Sequence, residues 1–514
     1  NDNPYCIGIH WCSSLELSLR LISWSFIHSI FILRDKDNGL FSSVDNPDAL
    51  GVSIYQQSKF IRNYLSRYSS ANNHLIGELT GLWVTCTVFD QGKEGKQWSE
   101  FAKSELESES TLQVHKDGVD KEQAFYYHLW VLEYLQLAWL VGERSGNNFS
   151  ELFRDRIILM AEFINNVTPQ GGQVPQVGDS DDGFVTRFEP TWPNNPYHEL
   201  LYTTGSVFGI NSLCHSELPI PQKAFWYGLI AGQALGSPKK ELASVKSKSS
   251  PCIYPFGGYA VLGDETIRLL FIGSDLGYPS IAAHGHADSL SVCLSLNGDW
   301  WLVDPGTYAY HGEPNWRNYF RGTSAHNTLM IDQLNQSEIR GPFLWGRHTK
   351  TTINELNIEK NRNKIIQSID GSHNGYGNIG LTHRRNVQYE TSDQSTITRT
   401  TSLSKITIND DIQGGGYHKF EIFFHWSPEV TLFPTENEGE WILEKKNAPF
   451  KLRLVLDPKW SWECFKGSED PILGWYSPAL GIKVPSFSLR GRLGAEAPCT
   501  VQSQIFILVS TSRL

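Results

Sequence analysis

Residues 284–296 read HGHADSLSVCLSL, and they decide how the second half of the chain folds. From Leu290 to Leu296 every second residue is apolar, and serine or cysteine fills the positions between them. Successive side chains of a β-strand point to opposite faces, so this alternation predicts a strand with one apolar face. His284 and His286 stand just before it, two residues apart. The stretch therefore predicts a β-sheet region with histidines placed against its core.

Similar alternating runs recur on both sides of this strand. They are Thr266–Ile272, Ser395–Leu403, Phe420–His425, Phe450–Leu456 and Val501–Val509. The glycines at 414–416 stand between two of the runs and predict a turn. We therefore expect an antiparallel β-sandwich over residues 252–514.

The first half of the chain has a helical period instead. Apolar residues recur three and four apart in five segments, which are Ser13–Ile32, Ala49–Tyr68, His74–Phe89, Lys121–Gly142 and Glu151–Val167. Breakers such as residues 92–95 separate them, as in antiparallel helical hairpins. These patterns predict a multidomain α + β protein, with a helical domain over 1–235 and a linker rich in serine and lysine at 236–251. A chain of 514 residues also favours two domains.

Composition and charge narrow the function classes. The net charge of −11 argues against nucleic acid as a partner, because phosphate binding needs a basic surface. The eight cysteines form no CxxC pair, so we expect scattered thiols. No apolar run approaches about 18 residues, so we expect no membrane insertion and interpret Leu21–Leu33 as a buried helix. The chain starts at Asn1 without a signal-peptide pattern, so we expect a removed leader or an incomplete N-terminus.

Three short motifs crowd polar residues into otherwise apolar strands. His284 and His286 point the same way in extended backbone and can address one site. Asp304 and His326 follow in two nearby motifs, VDPGT and SAHNT. Two histidines with an aspartate suit a divalent metal such as Zn²⁺ or Mn²⁺. The alternative is that these residues only cap strands.

Two helical motifs and one loop are also candidates. Asn73 and His74 open a helix, where an asparagine is equally suited to be an N-cap, and Glu78 follows one turn later. Tyr127 lies on an apolar helix face, where packing through the ring is the ordinary case. The long loop 169–196 lacks periodicity and contains GDSDDG, which does not have the spacing of an EF-hand.

Together these stretches resemble the heparinase II/III-like polysaccharide lyases. The matching pieces are NNHLIGE (72–78), DGVDKEQAFYYH (117–128), GDSDDG (178–183), HGHADSLS (284–291), VDPGTYAY (303–310) and YFRGTSAHNT (319–328). The last three are the more specific. The resemblance implies an N-terminal (α/α) toroid followed by an antiparallel β-sandwich, with the sugar bound in the cleft between them. The family has more helices before the NNH motif than this chain offers, so we expect an incomplete toroid.

The resemblance also implies an activity and assigns roles. It implies β-elimination of 4-linked uronic-acid-containing glycans, with Asn73 and His74 neutralising the uronate carboxylate. Tyr127 would protonate the leaving oxygen and would also take the C5 proton when both lie on one face of the sugar. His284 would be the base for the epimer with the opposite arrangement. One divalent ion, Zn²⁺ or Mn²⁺ with Ca²⁺ as a further candidate, would be held as a structural brace by His286, Asp304 and His326.

Further residues are expected to contact the sugar. Arg317 and Arg321 would give the cleft the local positive charge that the acidic protein lacks, the alternative being structural ion pairs. Glu78 and Tyr310 complete the expected substrate-binding set. The expected partner is an anionic polysaccharide, first a glycosaminoglycan (heparan sulfate, hyaluronan or chondroitin sulfate) and second alginate. Such an enzyme is expected to be periplasmic or secreted, of bacterial type, and the sequence gives no indication of its oligomeric state.

Two other classes remain open at this point. One is a metal-dependent glycan hydrolase, in which the metal activates water. The other is a non-catalytic glycan-binding protein on the same scaffold. The presence of Asn73, Tyr127 and His284 together favours the lyase over the binding protein.

Overall fold

The computed structural model describes most of the chain. The described residues are 4–35, 46–188, 195–214, 218–232, 251–278, 280–361, 364–392 and 404–509. The predicted strand Ser395–Leu403 and all but the last residue of the predicted linker 236–251 lie outside the described residues.

The chain forms two compact units, which are described separately. The helical unit consists of Asn1–Lys121, Tyr127–Phe163 and Gly183–Ser247. The β unit consists of Glu122–Tyr126, Ile164–Asp182 and Lys248–Leu514.

The helices of the described chain confirm the predicted helical first half. They are α1 (Ser14–Asp35), α2 (Pro47–Asn63), α3 (Asn73–Val88), α4 (Gly92–Leu112), α5 (Phe125–Ser145), α6 (Glu151–Val167), α7 (Pro196–Phe208), α8 (Gln222–Ile230) and α9 (Pro314–Phe320). The breaker predicted at residues 92–95 is wrong, because α4 begins at Gly92. Few apolar residues of α4 are buried, among them Ala102 and Leu106, so its period is faint in the sequence.

One helical segment in the described part of the chain, Ser14–Ile32, has the length and hydropathy of a membrane span. This departs from the expectation that no segment is long and apolar enough. Core helices and signal sequences meet the same criteria, and 44% of this segment is buried inside the structure. Its residues Leu17, Leu21 and Ile22 are fully buried. The burial agrees with the interpretation of this region as a core helix.

The strands follow in the second half of the chain. They are β1 (Cys252–Tyr254), β2 (Tyr259–Gly263), β3 (Ile267–Ile272), β4 (Ser291–Leu296), β5 (Asp299–Leu302), β6 (Leu329–Ile331), β7 (Ile339–Gly341), β8 (Leu344–Trp345), β9 (Thr351–Ile353), β10 (Asn357–Asn361), β11 (Lys364–His373), β12 (Thr382–Ser392), β13 (Ser404–His425), β14 (Val430–Pro434), β15 (Glu440–Lys445), β16 (Phe450–Leu456), β17 (Ser461–Lys466), β18 (Ser468–Glu469), β19 (Ile472–Leu473), β20 (Trp475–Ala479), β21 (Ile482–Pro485) and β22 (Phe487–Val509).

Two antiparallel sheets of the described strands pack on each other. The smaller has the order β1-β2-β3-β4-β5, and the larger has the main path β10-β11-β12-β13-β22-β16-β15-β14. One hydrophobic core joins them, with Leu269 and Val292 from the smaller sheet and Ile406 and Ile505 from the larger. The predicted fold class, a helical domain followed by an antiparallel β-sandwich, is confirmed.

The turn predicted at residues 414–416 is wrong. Strand β13 continues through these glycines, and its pairing with β22 shifts register between Ile412 and Gly416. Gly414 and Gly416 have φ angles of 134° and 99°, which let the strand bulge and continue. A glycine cluster between two alternating runs fits a bulge as well as a turn.

A hairpin made of β20 and β21 braces the loop that follows β5. The Ser477 amide donates to the Pro305 carbonyl at 2.8 Å, and the Ser477 hydroxyl donates to the Thr307 carbonyl at 2.7 Å. The Gly481 amide donates to the Tyr308 carbonyl at 2.7 Å. The loop after Asp304 is therefore held by residues about 170 positions later in the chain.

Candidate active site

The HGH motif lies in the β unit, in the loop between β3 and β4. A Cβ on Gly285 would stand 1.5 Å from the Leu276 carbonyl oxygen, so only glycine fits between the two histidines. Both histidines reach one carboxylate, that of Asp179. The distance is 3.2 Å from His284 Nδ1 to Asp179 Oδ2 and 2.9 Å from His286 Nε2 to Asp179 Oδ1.

Asp179 is the centre of this buried cluster. It follows Gly178, which has a φ of +70°. A Cβ at this position would lie 2.4 Å from the Gln123 carbonyl oxygen, so only glycine fits. The Arg317 guanidinium donates to both Asp179 oxygens, through Nη1 and, at 2.8 Å, through Nη2. Burial alone would raise the pKa of this carboxyl, but the Arg317 charge and the hydrogen bonds from both histidines hold it well below its usual range.

Glu122 lies on the other side of His284. Its carboxylate is 1% exposed, and Oε2 is 3.8 Å from His284 Nε2, beyond hydrogen-bond distance. Neither Glu122 nor Asp179 was singled out from the sequence, although both fall in quoted motifs. The available signal was the glycine before Asp179 inside a long loop without periodicity, since such loops are often functional.

The predicted metal ligands converge beside this cluster. His286, Asp304 and His326 are at most 2% exposed, and each offers a ligand atom within 4.8 Å of the others. His286 Nδ1 and His326 Nε2 are buried and have no hydrogen-bond partner among the described residues. Buried ring nitrogens of this kind need a partner, and a divalent ion supplies one. The three side chains therefore fit a metal ion.

Asp304 contacts both His326 and the loop that follows it. Its Oδ2 is 2.9 Å from His326 Nδ1, and its Oδ1 accepts from the Gly306 amide at 3.1 Å. Burial lowers the pKa of His286. Burial also acts to lower the pKa of His326, but the charge of Asp304, its hydrogen bond and the charge of Asp288 together outweigh burial and raise that pKa.

Both predicted substrate arginines lie buried in the same unit. Arg317 forms the ion pair with Asp179, and its guanidinium lies 5.1 Å from the centre of the Tyr310 ring. The Tyr310 hydroxyl donates to the Ser180 carbonyl at 2.7 Å. Arg321 donates to the Pro342 carbonyl at 3.0 Å and lies over the Trp345 ring. Their contact with substrate remains a prediction, as does that of Tyr310.

The remaining predicted residues lie in the helical unit. Asn73 is fully buried at the start of α3, but Asn72 is the N-cap, since its Oδ1 accepts from the His74 amide at 3.2 Å. Tyr127, 4% exposed on α5, packs with its ring centre 5.7 Å from that of Trp130.

Glu78 has a local role that the sequence did not indicate. Its two carboxylate oxygens accept from the Ser66 amide at 2.6 Å and from the Ser66 hydroxyl at 2.7 Å. Burial raises its pKa to about 7, against the lowering effect of these hydrogen bonds. A role of Glu78 in substrate binding remains a prediction.

Comparison with known families accounts for most of the chain. A family model described as heparinase II/III N-terminus matches residues 11–189, and one described as heparinase II/III-like, C-terminal, matches residues 253–504. The chain therefore belongs to the heparinase II/III-like family.

Its relatives are distant. A heparin-sulfate lyase of Bacteroides thetaiotaomicron is 24% identical over 352 residues, which cover 66% of this chain and 45% of the relative. A heparin-sulfate lyase of Bacteroides stercoris is 24% identical over 294 residues, covering 56% and 40%. The chain thus spans less than half the length of these curated relatives.

Solved structures show the same fold. A crystal structure of heparinase III aligns over 97% of this chain and 70% of its own, with a TM-score of 0.66 and 17% identity. A heparan sulfate lyase of Pedobacter heparinus aligns over 99% and 71%, with a TM-score of 0.64 and 16% identity.

Proposed function

We propose that this protein is a polysaccharide lyase that cleaves 4-linked uronic-acid-containing glycans by β-elimination. The observation that carries the proposal is the buried His284, held by Asp179 beside a metal-ligand group. The family membership supports the same class, because the relatives at 24% identity are named heparin-sulfate lyases.

Elimination requires removal of the proton at C5 of the uronate and expulsion of the oxygen at C4. The C5 proton is too weakly acidic while the neighbouring carboxylate keeps its full charge, so hydrogen-bond donors must stabilise the enolate-like intermediate. We assign that role to Asn73 and His74. Tyr127 donates a proton to the leaving oxygen and also takes the C5 proton when both lie on one face of the sugar. His284 takes the C5 proton of the epimer in which the two lie on opposite faces.

The buried ligand group favours elimination over metal-dependent hydrolysis. Catalytic zinc sites keep one position open for water or substrate. Here the side chains of His286 and His326 have no exposed surface, and Asp304 is 1% exposed. An ion held by them would fix the loops around His284, which is a structural role.

For the substrate we propose a glycosaminoglycan, with heparan sulfate first, then hyaluronan and chondroitin sulfate, and with alginate as the alternative. Heparan sulfate stands first because the relatives are named heparin-sulfate lyases. Since such polymers lie outside the cytoplasm, we propose a periplasmic or secreted location.

A panel of uronate polysaccharides read by ultraviolet absorbance tests the activity. Elimination creates a conjugated double bond that absorbs in the ultraviolet, whereas hydrolysis releases reducing ends without it. We expect absorbance to rise together with reducing ends on a glycosaminoglycan. Reducing ends without absorbance would establish the hydrolase, and binding without either product would establish a glycan-binding protein.

Two neighbouring asparagines give a matched test of the carboxylate contact. Asn73→Asp removes an amide donor and adds a charge that repels the uronate, so we expect turnover to fall about 10²–10³-fold, the loss typical of a transition-state donor. Asn72→Asp should be nearly silent, because aspartate also caps a helix. Melting temperature and kcat are measured for both. An Asn73→Asp enzyme with normal turnover would remove Asn73 from the mechanism.

A further inference from the structure

The carboxylate of Asp179 determines which ring nitrogen carries the proton in two histidines, and the nitrogen is a different one in each. An ionised carboxylate only accepts hydrogen bonds, so the nitrogen that faces it must carry the proton. For His284 that nitrogen is Nδ1, 3.2 Å from Asp179 Oδ2. For His286 it is Nε2, 2.9 Å from Asp179 Oδ1. Nε2 of a neutral His284, which lies 3.8 Å from Glu122 Oε2, therefore carries no proton, and Nδ1 of a neutral His286 carries none.

These unprotonated nitrogens are the atoms that a general base and a metal ligand each require. A general base must present an unprotonated nitrogen, and His284 Nε2 is that atom. A metal ligand must also be unprotonated, and His286 Nδ1 is the buried nitrogen without a hydrogen-bond partner among the described residues. The opposite tautomers would place a proton on each working nitrogen.

Arg317 keeps the carboxylate in its accepting form. Its guanidinium forms a two-pronged pair with Asp179, and both side chains are at most 2% exposed. Removing one member of such a buried pair leaves the other unpaired, so the two are required together. Thr307 adds a weaker contact to Asp179 Oδ1, at 3.4 Å.

We propose that Asp179 is a positioning residue that sets the base tautomer of His284 and the metal-binding tautomer of His286 at the same time. The inference rests on the proposed function for the role of His284 as a base. Through one carboxylate, the metal group and the base are oriented together. A change at Asp179 should therefore impair both proton abstraction and metal binding.

The first experiment is ¹⁵N NMR of the metal-loaded full chain with ¹⁵N-labelled histidine, and it needs no activity. His284→Gln and His286→Gln identify the two sets of resonances by their disappearance. We expect His284 protonated at Nδ1 and His286 protonated at Nε2. A His284 protonated at Nε2 in the resting protein would overturn the proposal, whatever substrate the enzyme cleaves.

The second experiment is Asp179→Asn, with Asp182→Asn as the matched control in the same loop. Asp182 is exposed, so its variant should resemble the parent protein. Asparagine can accept from only one histidine while its amide group faces the other. We expect kcat to fall about 10²–10⁴-fold with a smaller change in KM, and metal affinity to weaken about 10–100-fold.

Each result has one meaning. Normal kcat and normal metal affinity in a folded Asp179→Asn protein would overturn the proposal. If Asp179→Asn does not fold, the tautomers of the parent protein still decide the question. If the parent protein cleaves no uronate polymer, the proposed function fails, while the tautomers and the metal affinity still test the positioning role.

Discussion

Two buried clusters in the β unit are built from the same residue types and differ in how their nitrogens are satisfied. The Asp179 cluster contains Asp179, His284, His286 and Arg317. The His373 cluster contains His373, His383, Arg385 and Asp410, on β11, β12 and β13. Each has two histidines, one aspartate and one arginine, and all eight side chains are buried.

In the His373 cluster every ring nitrogen has a partner. Asp410 accepts from His383 Nε2 at 2.6 Å and from Arg385 at 2.6 and 3.0 Å. His383 Nδ1 then accepts from His373 Nε2 at 3.1 Å, and His373 Nδ1 accepts from the Gly375 amide at 3.1 Å. Burial lowers the pKa of both histidines. This is a closed hydrogen-bonded chain of neutral rings.

The Asp179 cluster is open by contrast. His286 Nδ1, and His326 Nε2 beside it, have no hydrogen-bond partner among the described residues. Burial and residue type are equal in the two clusters, so neither separates a structural histidine from a functional one. What differs is the unsatisfied ring nitrogen of His286, which is the feature expected of a metal ligand.

The largest expected effect is on activity and belongs to His284. His284→Gln removes the proposed base, so turnover of the sensitive epimer should fall about 10²–10⁴-fold while the melting temperature holds. His373→Gln is the matched change in the closed cluster. It should lower the melting temperature and leave the turnover of the folded protein unchanged. Kinetics and thermal unfolding are measured for both. Equal loss of activity per folded molecule in the two variants would contradict the assignment of a catalytic role to His284 and a structural role to His373.

The next effect is on stability and belongs to Asp410. Asp410→Asn leaves the Arg385 charge buried without its counter-ion, which costs roughly 3–5 kcal/mol of unfolding free energy. Asp411→Asn, on the neighbouring and less buried position of β13, should change little. Denaturant unfolding measures both. A stable Asp410→Asn protein would mean that the closed cluster does not hold the sandwich together.

The third effect is on metal content. Elemental analysis should find close to one divalent ion per chain, and His286→Ala or His326→Ala should lose it. An ion that binds only the folded chain stabilises it by about 2.7 kcal/mol when its free concentration is 100 times Kd, so both variants should also melt earlier. His373→Ala should keep the ion. Stoichiometric metal in both ligand variants would exclude the assigned site.

The smallest effect is a pH dependence and concerns Glu78, a buried carboxylate. Glu78 receives hydrogen bonds from Ser66 and has no ion pair among the described residues, and its pKa is raised from 4.5 to about 7. The folded state therefore holds this proton more tightly than the unfolded state. The contribution of Glu78 to stability is complete below pH 4.5 and is lost as the pH rises toward 7.

Glu78→Gln should flatten this slope. Unfolding free energy is measured from pH 4.5 to pH 7 in the parent protein and in Glu78→Gln, with Glu94→Gln as an exposed control on α4. We expect a shallower decline in Glu78→Gln only. The same decline in all three proteins would assign the pH dependence to other groups.

The sequence predicted the two classes of secondary structure because burial leaves a period in the chain. The helix Glu151–Val167 and the strand Phe450–Leu456 have the predicted limits. It failed at α4, where few apolar residues are buried, and at residues 414–416, where a bulge and a turn need the same glycines. At residues 414–416 the deciding contact is the pairing of β13 with β22, a distant part of the chain.

The same limit applies to the site. The histidines and Asp304 were visible because polar residues stood beside strong strand patterns. Asp179 was not, because its partners Arg317 and His284 are more than 100 residues away in the chain. A carboxylate in a loop gives no local signal of the side chains that will reach it.

The hairpin of β20 and β21 has a consequence for synthesis. The ligand motifs, from His284 to His326, leave the ribosome well before Ser477, which braces the loop that carries Asp304. Domains fold during translation as their contacts become available. A nascent chain that has passed the last ligand therefore still lacks the brace, and the site can take its final form only after the hairpin that carries Ser477 has also been made.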